Sequence, residues 1–535
     1  MSGKTGFLDG RTRTGTYERE DGAGRPNVVL ITVDMVPPEF HDPALAGSMG
    51  VPPLHTPAID GLRRDGLAFR NAFSTSPLCG PSRAAYLTGR HSYITANNER
   101  AHDGHAVRLR EEDSIFPAYL KAAGWWTRHV GKCHVGSRSF VEVFSENDRA
   151  WDRWCPPWYD DIEYGRYLSG LGIRGLEFRR RICGGSPSGR GEGNFYGGWV
   201  TDRGGGPFPP EATYARYTAE TARAVLASGA AEGRPLYLQV DFFEPHQPFA
   251  VPTGLEGRER ELRSRHVLPA QEPAGPEPRV YSLYRKNWGL ADRAVLTDYR
   301  IAHQLQFEVL DSAVGVLLSG LKALGLYEDS WIFLMADHGE MNGRTALIDK
   351  GAYLNPVVVG TPLIVKPPRG AAASRGLDAL RGGTCGIPVT LLDVAPTILA
   401  LAGIRPSAWM DGVDLSETVR AGARPEGRPI LFEAWNHVVA NPCIGTVFAS
   451  GRDGSPWFYS YNACDPVKEL YALGDRDRLV NRAMDKEARS LHHEAINLLA
   501  ERLNADERWV SFASYMNLEY ASEIGTGGDR QHFIS

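Results

Sequence analysis

Four short apolar runs punctuate the chain, at residues 28–33, 236–243, 331–336 and 362–365. Each is continuous rather than alternating, as in strands covered on both faces, so the pattern predicts four central strands of one sheet. Between them lie segments whose apolar residues recur at three and four positions, notably 297–324 and 390–402, which stop at Gly325 and Gly403. That period predicts helices, and a glycine just past the last apolar position is a stop signal. Strand and helix alternate, which predicts an α/β sheet with helices on both faces.

Two stretches break the rhythm. Residues 151–210 are rich in Trp, Tyr, Gly and Arg, and 253–290 are similarly uneven. Both are expected to be irregular insertions, either walls of a pocket above the sheet or packed surface excursions. Trp and Tyr between 151 and 199 would suit an aryl or sugar ring, or equally the gap under a long loop. After about Pro406 the pattern changes to strand-like pieces at 430–432, 445–449 and 457–461, then a helix at 486–504. With 535 residues in all, the expected organisation is a flexible arm at 1–26, a large catalytic domain at 27–406 and a smaller C-terminal domain at 407–535.

Composition narrows the function. Hydrophobic residues at 42% and charged residues at 23% describe a soluble, loop-rich globular protein rather than a disordered one. A net charge of -5 without a dense Lys/Arg stripe argues against nucleic acid as partner. Cysteines at 79, 133, 155, 183, 385, 443 and 464 are odd in number and scattered, unlike a disulfide framework. No apolar leader and no membrane-length stretch is visible, so a cytoplasmic location without membrane contact is expected.

The chemistry concentrates at the ends of the predicted strands. Asp34 closes the first run, Asp337, His338 and Gly339 close the third, and Pro245, His246 and Gln247 follow the second. In open α/β sheets ligands bind beyond the carboxyl ends of strands, so these side chains are placed to converge. Carboxylates with one imidazole suit Ca²⁺, Mg²⁺ or Mn²⁺. The densest motif is Cys79, Gly80, Pro81, Ser82 and Arg83, followed by Thr88, Gly89 and Arg90. A helix beginning near Ser82 would aim its positive end at an anion. Gly131, Lys132, Cys133 and His134 follow a helix ending at Gly124 and a strand at 125–130. The clusters His102 with His105, and His492, His493 and Glu494, lack a third-ligand pattern and are read as structural. Asn97 and Asn98 lie in the loop after Arg90, either substrate-facing or plain loop.

The C-x-P-S-R segment with its distal T-G-R resembles the signature of the type I, formylglycine-dependent sulfatases of the alkaline-phosphatase-like superfamily. The resemblance runs from about Pro26 to Asn481 and includes the segments 56–60, 393–397 and 469–471. It implies an alkaline-phosphatase-like α/β fold, a large mixed sheet with helices on both faces, plus a smaller C-terminal α+β domain. It implies that Cys79 is oxidised to formylglycine by a formylglycine-generating or other maturation enzyme, and that Asp34, Cys79, Asp337 and His338 hold one divalent metal, Ca²⁺ before Mg²⁺ or Mn²⁺. Arg83, Lys132, His134, His246 and Lys350 join Cys79 as the implied catalytic residues, Lys132 on the sulfate, His134 on the diol, and His246 with Lys350 on the leaving group. The substrate implied is a small-molecule sulfate ester; the oligomeric state is left open.

The resemblance departs at one position. Many sulfatases carry a second acidic residue after the first strand, where this chain has Met35. Related phosphonate monoester and phosphodiester hydrolases share the nucleophile and manage with one Asp there, so they form an alternative. A binding protein that keeps Cys79 as a thiol is another.

Overall fold

The computed structural model describes residues 25–95, 109, 113–136, 138–144, 149–151, 157–159, 161–186, 188, 192–229, 233–369, 380–475 and 479–509. Asn97, Asn98, His102, His105, Cys155 and nearly all of the N-terminal arm lie outside them. The central sheet consists of β1 (Asn27–Val33), β2 (Leu67–Phe69), β3 (Trp126–Lys132), β4 (Arg149–Trp151), β5 (Leu236–Asp241), β6 (Ser330–Ala336), β7 (Leu363–Lys366) and β8 (Gly383–Cys385). These eight strands lie in the order β8-β2-β7-β6-β1-β5-β3-β4. Strand β7 is antiparallel to both of its neighbours, and the other pairings are parallel. All four expected apolar runs are strands of this sheet.

Successive residues of a strand point to opposite faces. Along β1, Val28 and Leu30 join a layer that contains Tyr86, Phe116 and Ile398. Val29, Ile31 and Val33 face the other layer, with Ala219, Leu310 and Leu317. The first layer is supplied by α1 (Cys79–Thr88), α2 (Phe116–Ala122) and α5 (Val394–Leu401), the second by α3 (Tyr214–Gly229) and α4 (Arg293–Ala323). Burying one such Val, Leu or Ile stabilises the fold by about 1.5–3 kcal/mol. Helix α4 begins four residues before the predicted start. Its first turn is capped by Asp292, which accepts the Ala294 N–H at 2.7 Å, and its apolar residues Ala294, Val295 and Leu296 are consecutive rather than three or four apart.

The two insertions are regular, contrary to expectation. Residues 151–210 contain a helix (Ile162–Gly170) and an antiparallel hairpin (Leu176–Gly185 with Glu192–Asp202) that extends onto Phe249–Val251. Three register shifts in the hairpin scramble its period-two pattern. Residues 253–290 hold two helices, Glu256–Arg265 and Arg279–Trp288, the first so polar that only Glu259 and Leu262 are buried.

Beyond residue 406 four antiparallel strands form a second sheet: β9 (Ile430–His437), β10 (Val439–Ala449), β11 (Pro456–Asn462) and β12 (Glu469–Ala472). One face, with Phe432, Val447 and Phe458, packs into the layer of Phe73, Tyr284 and Tyr353. The other, with Ile444, Phe448 and Tyr459, lies under Ile496, Leu499 and Leu503 of α6 (Arg489–Asn504). No described helix is long and apolar enough to cross a membrane.

Glu433 of β9 joins this sheet to the chain after α1. Its Oε1 accepts from the Ser92 hydroxyl and the Tyr93 N–H, both at 2.9 Å. Burial pushes its carboxyl from 4.5 up to about 7. A folded-state value above the unfolded one contributes stability that is present below 4.5 and lost as pH rises through about 7. Glu433→Gln should therefore flatten the fall in stability across that window, measured by urea unfolding on either side of it; identical pH dependence in both proteins would refute the assignment.

Candidate active site

Adjacent parallel strands β1 and β6 end in register, Val33 beside Ala336, and the Asp337 N–H donates to the Val33 carbonyl at 3.2 Å. Asp34 and Asp337 thus leave the sheet side by side, both fully buried. Cys79 is the first residue of α1, three positions earlier than the expected start near Ser82. No side-chain hydrogen bond caps this helix, and its positive end favours an anion. One ligand atom each from Asp34, Cys79, Asp337 and His338 lies within 4.8 Å of the others.

Two motif glycines explain why the chain approaches so closely. A Cβ at Gly339 would stand 1.9 Å from the Val357 carbonyl oxygen, and one at Gly131 would stand 1.9 Å from that of Asp241. Any larger residue would push His338 or Lys132 out of place.

The cluster is tightly ordered by hydrogen bonds. Asp337 Oδ1 accepts the N–H groups of Met35 at 3.1 Å and His338 at 3.0 Å, and its Oδ2 accepts Arg83 Nε at 2.9 Å. The Ser82 hydroxyl donates to the Asp337 carbonyl at 2.5 Å, and Arg83 Nη1 donates to the Lys132 carbonyl at 2.7 Å. Lys132 Nζ donates to Asp34 Oδ2. His338 Nδ1 faces the Gly339 carbonyl at 2.9 Å, which places the hydrogen on Nδ1 and turns the Nε2 lone pair toward Cys79 Sγ at 3.0 Å. Such a backbone partner is the usual way a metal-binding imidazole is oriented.

Charge in this pocket is unevenly matched. Burial and Cys79 push Asp34 up, yet Lys132, His246 and Arg83 together bring its carboxyl down to about 2, so it is ionised. Asp337 is raised, by burial first and then by the charge of Asp34. Burial works against a charged His338, but Cys79 and Asp337 outweigh it and raise the imidazole. Two carboxylates and an inward imidazole lone pair are a donor set that fits a divalent cation.

The other expected residues fall on the rim. Lys350 and His246 are buried and touch, Nζ to Nε2 at 2.8 Å. Lys350 also approaches Met35 Sδ at 3.5 Å. Met35 has a φ of 61°, a left-handed conformation that frees its N–H for Asp337. His134 is buried two residues beyond Lys132, also left-handed, with a φ of 54°. Trp158 of the insertion meets Phe243 edge-on at 5.4 Å, and Phe243 lies 5.5 Å from Lys132 Nζ and 5.3 Å from the His246 ring. His492 and His493 sit on α6 among the C-terminal sheet contacts, and Glu494 accepts the Gly451 N–H at 2.9 Å.

Sequence reasoning missed the layer behind these groups. Asp241 faces Arg83 Nη1 at 3.8 Å and takes His129 Nε2 and Gln239 Nε2 at 2.8 and 2.7 Å. Asp349 lies against Lys350 at 3.2 Å and accepts Gln247 Nε2 at 2.8 Å. The available signal was polar residues inside or just after runs that are otherwise apolar, at His129, Gln239 and Asp241.

A mixed α/β sheet with a buried carboxylate, imidazole and cysteine cluster at its strand ends defines an alkaline-phosphatase-like fold. The Sulfatase family model matches residues 26–404, and the chain belongs to that family of sulfuric ester hydrolases. It is 26% identical to a choline-sulfatase of Rhizobium meliloti (strain 1021), covering 93% of each chain. It is likewise 26% identical to the uncharacterised sulfatase YidJ of Escherichia coli (strain K12), over 77% of this chain and 74% of that one. Among solved structures it resembles a phosphonate monoester hydrolase from Silicibacter pomeroyi, with a TM-score of 0.65 at 20% identity over 91% of this chain and 97% of the other.

Arg83 is fully buried and faces Asp34, Asp241 and Asp337. Removing one partner from a buried ion cluster strands the others, so Arg83→Met should cost about 3–5 kcal/mol in denaturant unfolding. A loss near the surface-substitution level of about 0.5 kcal/mol would show that the carboxylates do not depend on it.

Proposed function

We propose that the chain hydrolyses a sulfate monoester with a nucleophile derived from Cys79. The observation that carries this reading is the convergence of Cys79, Asp34, Asp337 and His338 within 4.8 Å, with Lys132 and Arg83 on one side and the Lys350–His246 pair on the other. We assign Asp34, Asp337, His338 and residue 79 as the ligands of one divalent ion, Ca²⁺ before Mg²⁺ or Mn²⁺. When bound, such an ion would neutralise ester oxygens and make a nearby hydroxyl more acidic.

Oxidised to formylglycine, residue 79 would hydrate to two geminal hydroxyls, one to attack sulfur and the other to expel sulfate as the aldehyde reforms. Cys79 is fully buried, which supports oxidation by a maturation enzyme before the chain has closed around it. Arg83 holds Asp337 and the Lys132 carbonyl, fixing α1 against the strand ends. Lys132 brings positive charge to the anion, and His134 is assigned to hydrogen-bond the diol and assist its breakdown. His246 and Lys350 serve the leaving alcohol, His246 as the proton donor once it is protonated at Nε2.

A second reading, phosphonate monoester or phosphodiester hydrolysis, is favoured by one observation: Met35 places a neutral thioether 3.5 Å from Lys350. Lys132 with His134 supports sulfate. A series with one common aryl leaving group decides between them: the sulfate ester should show the highest kcat/KM, and a phosphonate monoester or phosphodiester tenfold faster would reverse the assignment. Choline sulfate and sugar sulfates complete the panel.

Cys79→Ser separates the mechanism from its alternatives. The substituted hydroxyl can attack sulfur but lacks the second oxygen, so the variant should accumulate a sulfated peptide and stall after at most one turnover. Repeated turnover at the wild-type rate would disprove the geminal mechanism.

A further inference from the structure

We propose that Asp349 is the positioning residue of the leaving-group pair, dividing its two carboxylate oxygens between Lys350 and the residue that orients His246. This rests on the reading, given above, that His246 and Lys350 serve the leaving alcohol. Oδ1 lies 3.2 Å from Lys350 Nζ, and Oδ2 accepts the Gln247 side-chain amide at 2.8 Å. The Gln247 backbone carbonyl in turn faces His246 Nδ1. A carbonyl only accepts, so Nδ1 carries the hydrogen, and Nε2 accepts from the Lys350 ammonium at 2.8 Å. One carboxylate therefore governs both partners of the 2.8 Å contact, one directly and one through its neighbour.

Solvent cannot substitute for Asp349, because Asp349, Lys350 and His246 are 4%, 1% and 3% exposed. A lysine is a point charge on a flexible four-carbon stem, and holding it in one place takes a fixed counter-charge. Burial alone would lower the Lys350 ammonium, but Asp349, aided by Cys79 and Asp34, more than offsets it and keeps the charge on. Asp349 is itself anchored: its N–H donates to Glu340, and its carbonyl accepts the Met341 N–H at 3.0 Å. At a φ of 60° Asp349 occupies the left-handed region, which Asp and Asn adopt more readily than other side chains.

Asp349→Asn keeps the shape and the backbone preference, removes the charge and leaves one acceptor oxygen for the two donors Lys350 and Gln247. The test measures kcat/KM for Asp349→Asn and His246→Ala across sulfate esters from activated aryl to alkyl leaving groups, with urea unfolding and metal content as controls. Asp349→Asn should lose about tenfold or more on alkyl esters and less than about threefold on activated aryl esters, since proton donation matters most for a basic leaving oxygen. Stability and metal content should be unchanged. A uniform loss across the series, beside a steep dependence in His246→Ala, overturns the positioning role alone. A flat series in His246→Ala overturns the reading of the pair, and the role of Asp349 with it. Should Asp349→Asn fail to fold, Gln247→Met, which cuts only the arm to His246, carries the same test with the same expected slope.

Discussion

Two carboxylates of like charge, Asp34 and Asp337, are held side by side and out of water by the register of neighbouring parallel strands. Burial and mutual repulsion both oppose their charge, and the surrounding structure reads as a response to that strain. Arg83 spans Asp337, Asp34 and Asp241, and Lys132 closes on Asp34. The start of α1 is pinned by Ser82 on the Asp337 carbonyl, which brings residue 79 to the same point. A cation bound between the carboxylates, as proposed, would complete the balance.

The Lys350–His246 pair is fastened to the rest of the structure by a separate set of contacts. Lys350 sits on a loop held from the C-terminal sheet: Asn441 of β10 donates to the Ala352 carbonyl at 2.7 Å, and the Ala352 N–H donates to the Tyr284 hydroxyl at 2.8 Å. That hydroxyl donates to the His437 carbonyl at the tip of the β9–β10 hairpin. The second sheet thereby fixes the loop that carries Lys350.

Much of this was legible in the sequence, for definite reasons. Strands covered on both faces leave continuous apolar runs, and function at their ends leaves polar residues just past them, so Asp34, Asp337, His338 and His246 could be picked out by position. Cys79, Arg83, Lys132 and His134 depended on the motif, since neither burial nor contact is written in residue order. Asp349 reads as turn composition, and only the fold shows that it is buried against Lys350. Asp241 ends β5, His129 sits in the middle of β3, and the two meet across the β3–β5 pairing, a contact of 112 positions in sequence that no local pattern encodes. The insertions hid their strands because register shifts break the alternation on which recognition of a strand relies.

Met35 marks where the chain departs from the pattern it otherwise follows, and it bears on which ester is preferred. The nucleophile is the more basic issue, because repeated turnover and the role assigned to His134 presume two oxygens at residue 79. Peptide mass analysis of residue 79 across preparations of differing specific activity is the most direct test. The account predicts that activity rises in proportion to the fraction present as aldehyde or its hydrate and vanishes when only thiol is found. Full activity in a preparation whose residue 79 is entirely thiol would contradict it.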